Sequence, residues 1–206
     1  MLTTSEIRWF SRGVVPPVIE NWFTKDVLRE ICQPLEKRED WYLLIPGCEF
    51  LGVKLRQHRL ETKLRVTGLG IWKFRNNAIG AAEKWIKSSC EDAKLENLLT
   101  PDIIVQGQWV KVEKVRSQIR YLVSDDYSLT PASTENTLQN GCNIELTQLI
   151  INHHDWWTLG FEASGTDENL ITNLEVVAKK MFQTFPDREL NLVDSYAYPK
   201  WLSVFV

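Results

Sequence analysis

Charged side chains recurring at every second position are the feature of this sequence most able to do chemistry. Lys54 and Arg56 share one parity, and after Gln57-His58 so do Glu61, Lys63 and Arg65. Successive strand side chains point to opposite faces. Each charged set therefore shares a face, with Val53 and Leu55, then Leu60, Leu64 and Val66, on the other. Glu6 and Arg8 make a similar pair near the start, and Lys114, Arg116 and Arg120 share parity further on. Glu145 and Glu162 stand between apolar neighbours, in Ile144-Glu145-Leu146 and Phe161-Glu162-Ala163. Carboxylates can hold Mg2+ or Mn2+ through oxygen, while Lys and Arg grip phosphate oxygens. Together such groups can stabilise phosphoryl transfer. The alternative is a solvated outer face laced by cross-strand Lys/Glu pairs.

Other chemistries find little support. The chain lacks the G-x-x-x-x-G-K-[ST] loop, the dinucleotide fingerprint and the H-E-x-x-H motif. His153 and His154 are adjacent, so on a strand they would diverge; with Asp155 they read as a surface loop, and His58 as a turn residue. No nucleophile motif supports a Ser-His-Asp assembly. Cys32, Cys48, Cys90 and Cys142 fit no metal spacing and read as reduced thiols, which makes the cytoplasm the expected location. The 24 Lys and Arg against 27 Asp and Glu leave a net charge of -3, without the basic excess of a phosphate-backbone binder. No apolar run approaches the roughly 18 residues of a membrane helix, and the opening residues do not read as a signal peptide.

Elements must position these groups. Of the 206 residues, 44% are hydrophobic and nine are Trp, enough for a substantial core and an aromatic-lined end. The pattern predicts strands at 5–10, 40–45, 52–56, 59–66, 71–75, 109–123, 143–151 and 156–163. Residues 81–89 fit a strand carrying Glu83, Trp85 and Lys87 on one face, or a helix. Pro17 is placed to open a short helix through Phe23, Pro46-Gly47 marks a turn, and 124–140 reads as a loop. Leu170, Leu174, Val177 and Met181 recur at helical spacing within a helix starting near Thr166 or Asp167 and running to about Phe185. Met181 is then core packing. The aromatic tail from Tyr196 to Leu202 would cross the barrel or seal one end. The expected class is mainly β (α+β): seven to nine antiparallel strands in a strongly curved sheet or closed barrel with flanking helices, as one domain over 1–206.

The order of these motifs resembles the CYTH-like, triphosphate-tunnel superfamily. It runs E-x-R, V-K-L-R, E-T-K-L-R, K-V-R-x-x-x-R-Y, C-N-I-E-L-T and F-E-A, scattered over residues 5–163. The resemblance implies an antiparallel eight-stranded barrel whose tunnel binds triphosphate or another phosphorylated substrate through basic residues and divalent metal through glutamates. Carried over residue by residue, the ligand-binding set is Arg8, Lys54, Arg56, Lys63, Arg65, Lys114, Arg116 and Arg120. The metal set, for Mg2+ or Mn2+, is Glu6, Glu145, Glu162 and Glu61. The chain departs from the family's E-x-E-x-K opening: Arg8 stands where the second carboxylate belongs and Phe10 where the lysine belongs. Thr147 and Ser164 follow Glu145 and Glu162 where acidic partners are usual. Arg8 beside a metal site would repel the ion. The expected function is binding of a phosphorylated or polyanionic small molecule in a polar barrel, with Arg8 in an internal salt bridge near Glu6 or with Glu162. Metal-dependent triphosphate hydrolysis and a non-catalytic protein-interaction barrel are the alternatives.

Overall fold

Period-two alternation runs through nearly the whole sheet, and it decides which side chains face inward. A computed structural model describes residues 1–28, 35–75, 78–106, 108–132 and 140–205. Its strands are β1 (Leu2–Arg12), β2 (Glu36–Leu43), β3 (Leu51–Arg56), β4 (Arg59–Lys73), β5 (Ile79–Glu91), β6 (Trp109–Val123), β7 (Leu129–Ala132), β8 (Gly141–Ile151) and β9 (His154–Ser164). They lie in the order β2-β3-β4-β5-β1-β9-β8-β6, and β6 pairs back onto β2. Eight antiparallel strands thus close a barrel, which removes their free edges. β7 pairs with β6 at Arg120–Val123, beyond the reach of β2.

Several boundaries differ from expectation. The 59–66 and 71–75 segments are one strand, β4, whose register shifts between Arg65 and Thr67 and between Gly68 and Gly70. The glycines mark bulges that bend a long strand. Residues 81–89 belong to strand β5, because pairing to both β1 and β4 overrides the helix propensity of Ala81 and Ala82. The 124–140 excursion contains β7, and residues 133–139 lie outside those described, as does Cys32. β8 and β9 form the expected hairpin, turned by Asn152 and His153, which both adopt positive φ (47° and 63°).

Among the described residues four α-helices flank the barrel: α1 (Pro17–Trp22), α2 (Pro101–Gln106), α3 (Leu170–Phe182) and α4 (Tyr198–Phe205). Pro17 opens α1 as expected. The main core lies outside the barrel. Ile7, Trp9, Ile119, Ile144, Trp157, Leu159 and Phe161 pack with Leu174, Val177, Met181 and Phe182 of α3. This placement explains Glu145 and Glu162: their apolar neighbours serve the outer core, so their own parity faces inward. α4 closes one end, where Trp201 and Leu202 meet Phe10, Val112, Leu149 and Trp156. The Phe10 ring stacks on Trp201 with centroids 5.0 Å apart. No helix among the described residues is long and apolar enough to cross a membrane.

Candidate functional site

An eight-stranded barrel is just wide enough inside to hold side chains or one small ligand. Here the inward positions leave a cavity of about 510 Å³. Its wall takes Glu6 and Arg8 from β1, Arg38 and Tyr42 from β2, Lys54 from β3, Glu61 and Lys63 from β4, and Lys87 from β5. Lys114 and Arg116 of β6, Glu145 of β8 and Glu162 of β9 complete it, with Tyr198 and Pro199 of α4. Seven Lys and Arg side chains therefore face four carboxylates.

Burying charge costs several kcal/mol per ion unless it is paired, and these groups pair in a continuous chain. Lys87 and Lys63 hold Glu162, and Lys63 also holds Glu6. Arg8 links Glu6 at 2.7 Å to Glu145 at 2.8 Å. Arg116 joins Glu145, at 2.9 Å, to Glu36. Arg38 carries the chain from Glu36 at 2.9 Å to Asp40 at 3.4 Å. Asp40 then meets Lys114 at 2.9 Å and Lys54 at 3.8 Å, and Lys54 pairs with Glu61.

The two sides of this chain are not equally neutralised. Burial would raise the Glu145 carboxyl, but Arg8 and Arg116 outweigh it and hold it well below the usual range. Burial works the same way on Glu6, where Lys63 and Arg8 prevail and lower it. On the Glu6 side burial would also lower the Lys63 ammonium, yet Glu6 and Glu162 raise it. Around Asp40 the outcome reverses. Burial lowers Lys54 to about 8 although Asp40 and Glu61 oppose it. Burial likewise lowers Lys114 to about 8 against the pull of Asp40. The Lys114 ammonium also lies over the Tyr198 ring, 4.0 Å from its centroid, and contacts the Tyr42 hydroxyl at 2.6 Å. On this side burial outweighs the attraction of the neighbouring carboxylates for both lysines.

The expected site residues divide accordingly. Arg8, Lys54, Lys63, Lys114 and Arg116 line the cavity, as do Glu6, Glu61, Glu145 and Glu162. Arg56, Arg65 and Arg120 are not among the lining residues. Arg56 bonds Glu61 at 3.2 Å, Arg65 bonds Glu83 at 2.6 Å, and Arg120 donates to Asn143 at 3.1 Å. Arg8 does make an internal salt bridge, but its partners are Glu6 itself and Glu145 rather than Glu162, which pairs with Lys63 and Lys87. Arg38, Asp40, Lys87 and Tyr198 complete the site without having been singled out. Their signal was the shared parity of Arg38, Asp40 and Tyr42, and of Lys87 with Glu83 and Trp85.

Gly160 positions Arg8. It faces Arg8 across the β1–β9 pair, and a Cβ there would sit 2.5 Å from the Arg8 Cζ. Gly160→Ala must displace the guanidinium, at an expected cost of about 1–3 kcal/mol for overpacking. Gly68→Ala, with nothing within 4 Å of its added Cβ, is expected to stay within about 0.5 kcal/mol. Urea unfolding of both variants checks this; equal stabilities would remove Gly160 from the account.

The carboxylates do not fit a divalent metal as arranged. Each of the four is engaged by at least two cations, and Glu61 pairs with Lys54, Arg56 and Arg59, none of which pairs with the other three. Among the described residues no group of three or more His, Cys, Asp or Glu is arranged to hold a metal ion.

No family model matches the chain, and no curated protein matches it. Among solved structures, it is similar to a "putative adenylate cyclase" from Bacillus halodurans, with a TM-score of 0.41 and 10% identity over 90% of this chain and 95% of that one. The PH1819 protein from Pyrococcus horikoshii is similar at a TM-score of 0.41 and 10% identity, over 90% of this chain and 94% of that one. At that level of likeness, what this chain does has to be read from its own residues.

Proposed function

We propose that the barrel binds a small polyanion, a phosphorylated metabolite or a short phosphate chain, in its central cavity. The observation that carries this reading is the cation excess of the lining, seven Lys and Arg against four carboxylates, with Lys54, Lys114 and Arg38 converging on the buried Asp40 carboxylate behind it. Phosphate oxygens accept charge-assisted hydrogen bonds from Lys and Arg, and inside a barrel those bonds are little screened by salt. Lys54 and Lys114 would contact the ligand first, with Arg38, Arg116, Lys63 and Lys87 around it. The strand-borne motifs that resemble triphosphate-tunnel proteins support the same class of ligand. Binding is favoured over turnover because every lining carboxylate is tied to at least two cations, which leaves none disposed as a base toward water.

The test is calorimetric titration of the purified protein with tripolyphosphate at pH 7 and low salt. Micromolar binding is expected, with inorganic phosphate binding far more weakly because it spans fewer of the cations. Absence of heat with any phosphate chain, confirmed by an unchanged melting temperature, would overturn the reading.

A further inference from the structure

We propose that Arg8 and Lys63 serve as built-in counter-cations, so that the cavity takes its anion without a divalent metal. The ligand half of this proposal rests on the anion-binding reading above. A tunnel that positions phosphates with bound metal needs carboxylates with free oxygens, because Mg2+ demands a close octahedral set of oxygen ligands. In this chain both oxygens of Glu6 and of Glu145 are already engaged, and Glu162 is paired to two lysines through one of its two. Glu6 gives one oxygen to Arg8 Nε at 2.7 Å and the other to Lys63 Nζ. The Arg8 guanidinium reaches on to Glu145 at 2.8 Å and to the Thr158 hydroxyl at 3.3 Å. Lys63 reaches on to Glu162 at 3.4 Å. Two protein cations therefore bridge the three carboxylates that β1, β8 and β9 present.

Neither cation is free to swing aside. Arg8 sits in the space left by Gly160, with its Cζ 5.2 Å from the centre of the Tyr198 ring. Lys63 lies over Trp85, 4.9 Å from the ring centre. Arginine does not surrender its proton in a protein, so a divalent ion at this place would meet a fixed like charge as well as occupied ligands. The positive charge that a metal would bring to a phosphate is thus supplied by the chain itself.

Two titrations test this. Tripolyphosphate binding is measured in EDTA and in Mg2+, compared at equal free tripolyphosphate because Mg2+ also chelates it. Mn2+ binding is followed separately by electron paramagnetic resonance for the wild type, Arg8→Gln and Lys63→Gln. The expected results are equal tripolyphosphate affinity in both conditions, no Mn2+ bound by the wild type, and Mn2+ bound by each folded variant. A tenfold gain in affinity with Mg2+ would overturn the proposal while leaving the anion reading intact. So would Mn2+ binding by the wild type that Glu145→Gln abolishes, a measurement that stands even if neither variant folds. Folded variants that bind no Mn2+ would overturn the role given to Arg8 and Lys63. No tripolyphosphate bound in either condition would overturn the anion reading and the ligand half of the proposal together.

Discussion

Asp40→Asn is expected to destabilise the protein by about 3–5 kcal/mol, the cost of removing one partner from a buried charge group. Asp40 is completely buried, and Asn fills nearly the same volume, so the effect is one of charge. Three cations depend on this carboxylate: Lys114 at 2.9 Å, Arg38 at 3.4 Å and Lys54 at 3.8 Å. Without it Lys54 and Lys114, already lowered by burial to about 8, fall further and shed protons. The unfolded chain keeps those lysines protonated at their ordinary pKa of about 10.4. Between the two values the unfolded state binds more protons, so folding stability rises with pH. The Asn variant should therefore recover part of its loss between pH 7 and pH 9, where wild-type stability rises less. Tripolyphosphate should also raise its melting temperature more than that of the wild type, because the ligand replaces the missing negative charge. Urea unfolding at both pH values checks the first claim. A loss below about 1 kcal/mol would mean that the buried pairs around Asp40 contribute no more than surface ones.

Lys54→Met and Lys114→Met are each expected to lower tripolyphosphate affinity by about 10–100-fold, the equivalent of a buried hydrogen bond to a charged group. Lys111→Met is the control. Lys111 pairs with Glu39 and Glu113 on the opposite parity of β2 and β6, away from the lining, and its loss should leave affinity unchanged. The same two cavity lysines set the pH dependence. In the free protein both titrate near 8. A bound anion favours the charged form and raises their pKa, so binding takes up protons above pH 8. Affinity should hold steady below pH 8 and fall above it, by up to about tenfold per pH unit for each lysine involved. Calorimetry at pH 7, 8 and 9 reads this directly. A flat profile in the wild type, or one unchanged in the double Met variant, would place the anion elsewhere.

Parity made the inward face legible in the sequence, because one face of each strand serves the outer core and the other serves the cavity. Lys54, Lys63, Lys114, Arg116, Glu145 and Glu162 were found that way. Parity gives the face but not the height along the barrel. Arg120 shares its face with Lys114 and Arg116 yet lies further along β6, where it meets Asn143 of β8. Arg65 keeps the parity of Lys63 but stands at the edge of a bulge and pairs with Glu83. Arg38 was hidden because Glu36, Lys37, Arg38 and Glu39 form a fully charged run, which resembles a solvated loop until pairing with β6 makes it a strand. Tyr198 was legible only as part of an aromatic tail that would cross the barrel or seal one end; its contacts with Arg8 and Lys114 depend on how α4 folds back over that end. The number and spacing of the strands left a curved sheet or a closed barrel open, and the pairing of β2 with β6 decides for closure. That each carboxylate would be tied to cations follows from distances across strands, which no spacing within one strand reveals.

The measurement that bears most directly on this account is a crystal structure of the protein grown or soaked with tripolyphosphate in EDTA. The account predicts phosphate density inside the barrel, within hydrogen-bonding distance of Lys54 and Lys114, with Arg8 still bridging Glu6 and Glu145. Density confined to the outer surface, or a cavity left without phosphate under conditions where calorimetry shows binding, would contradict it.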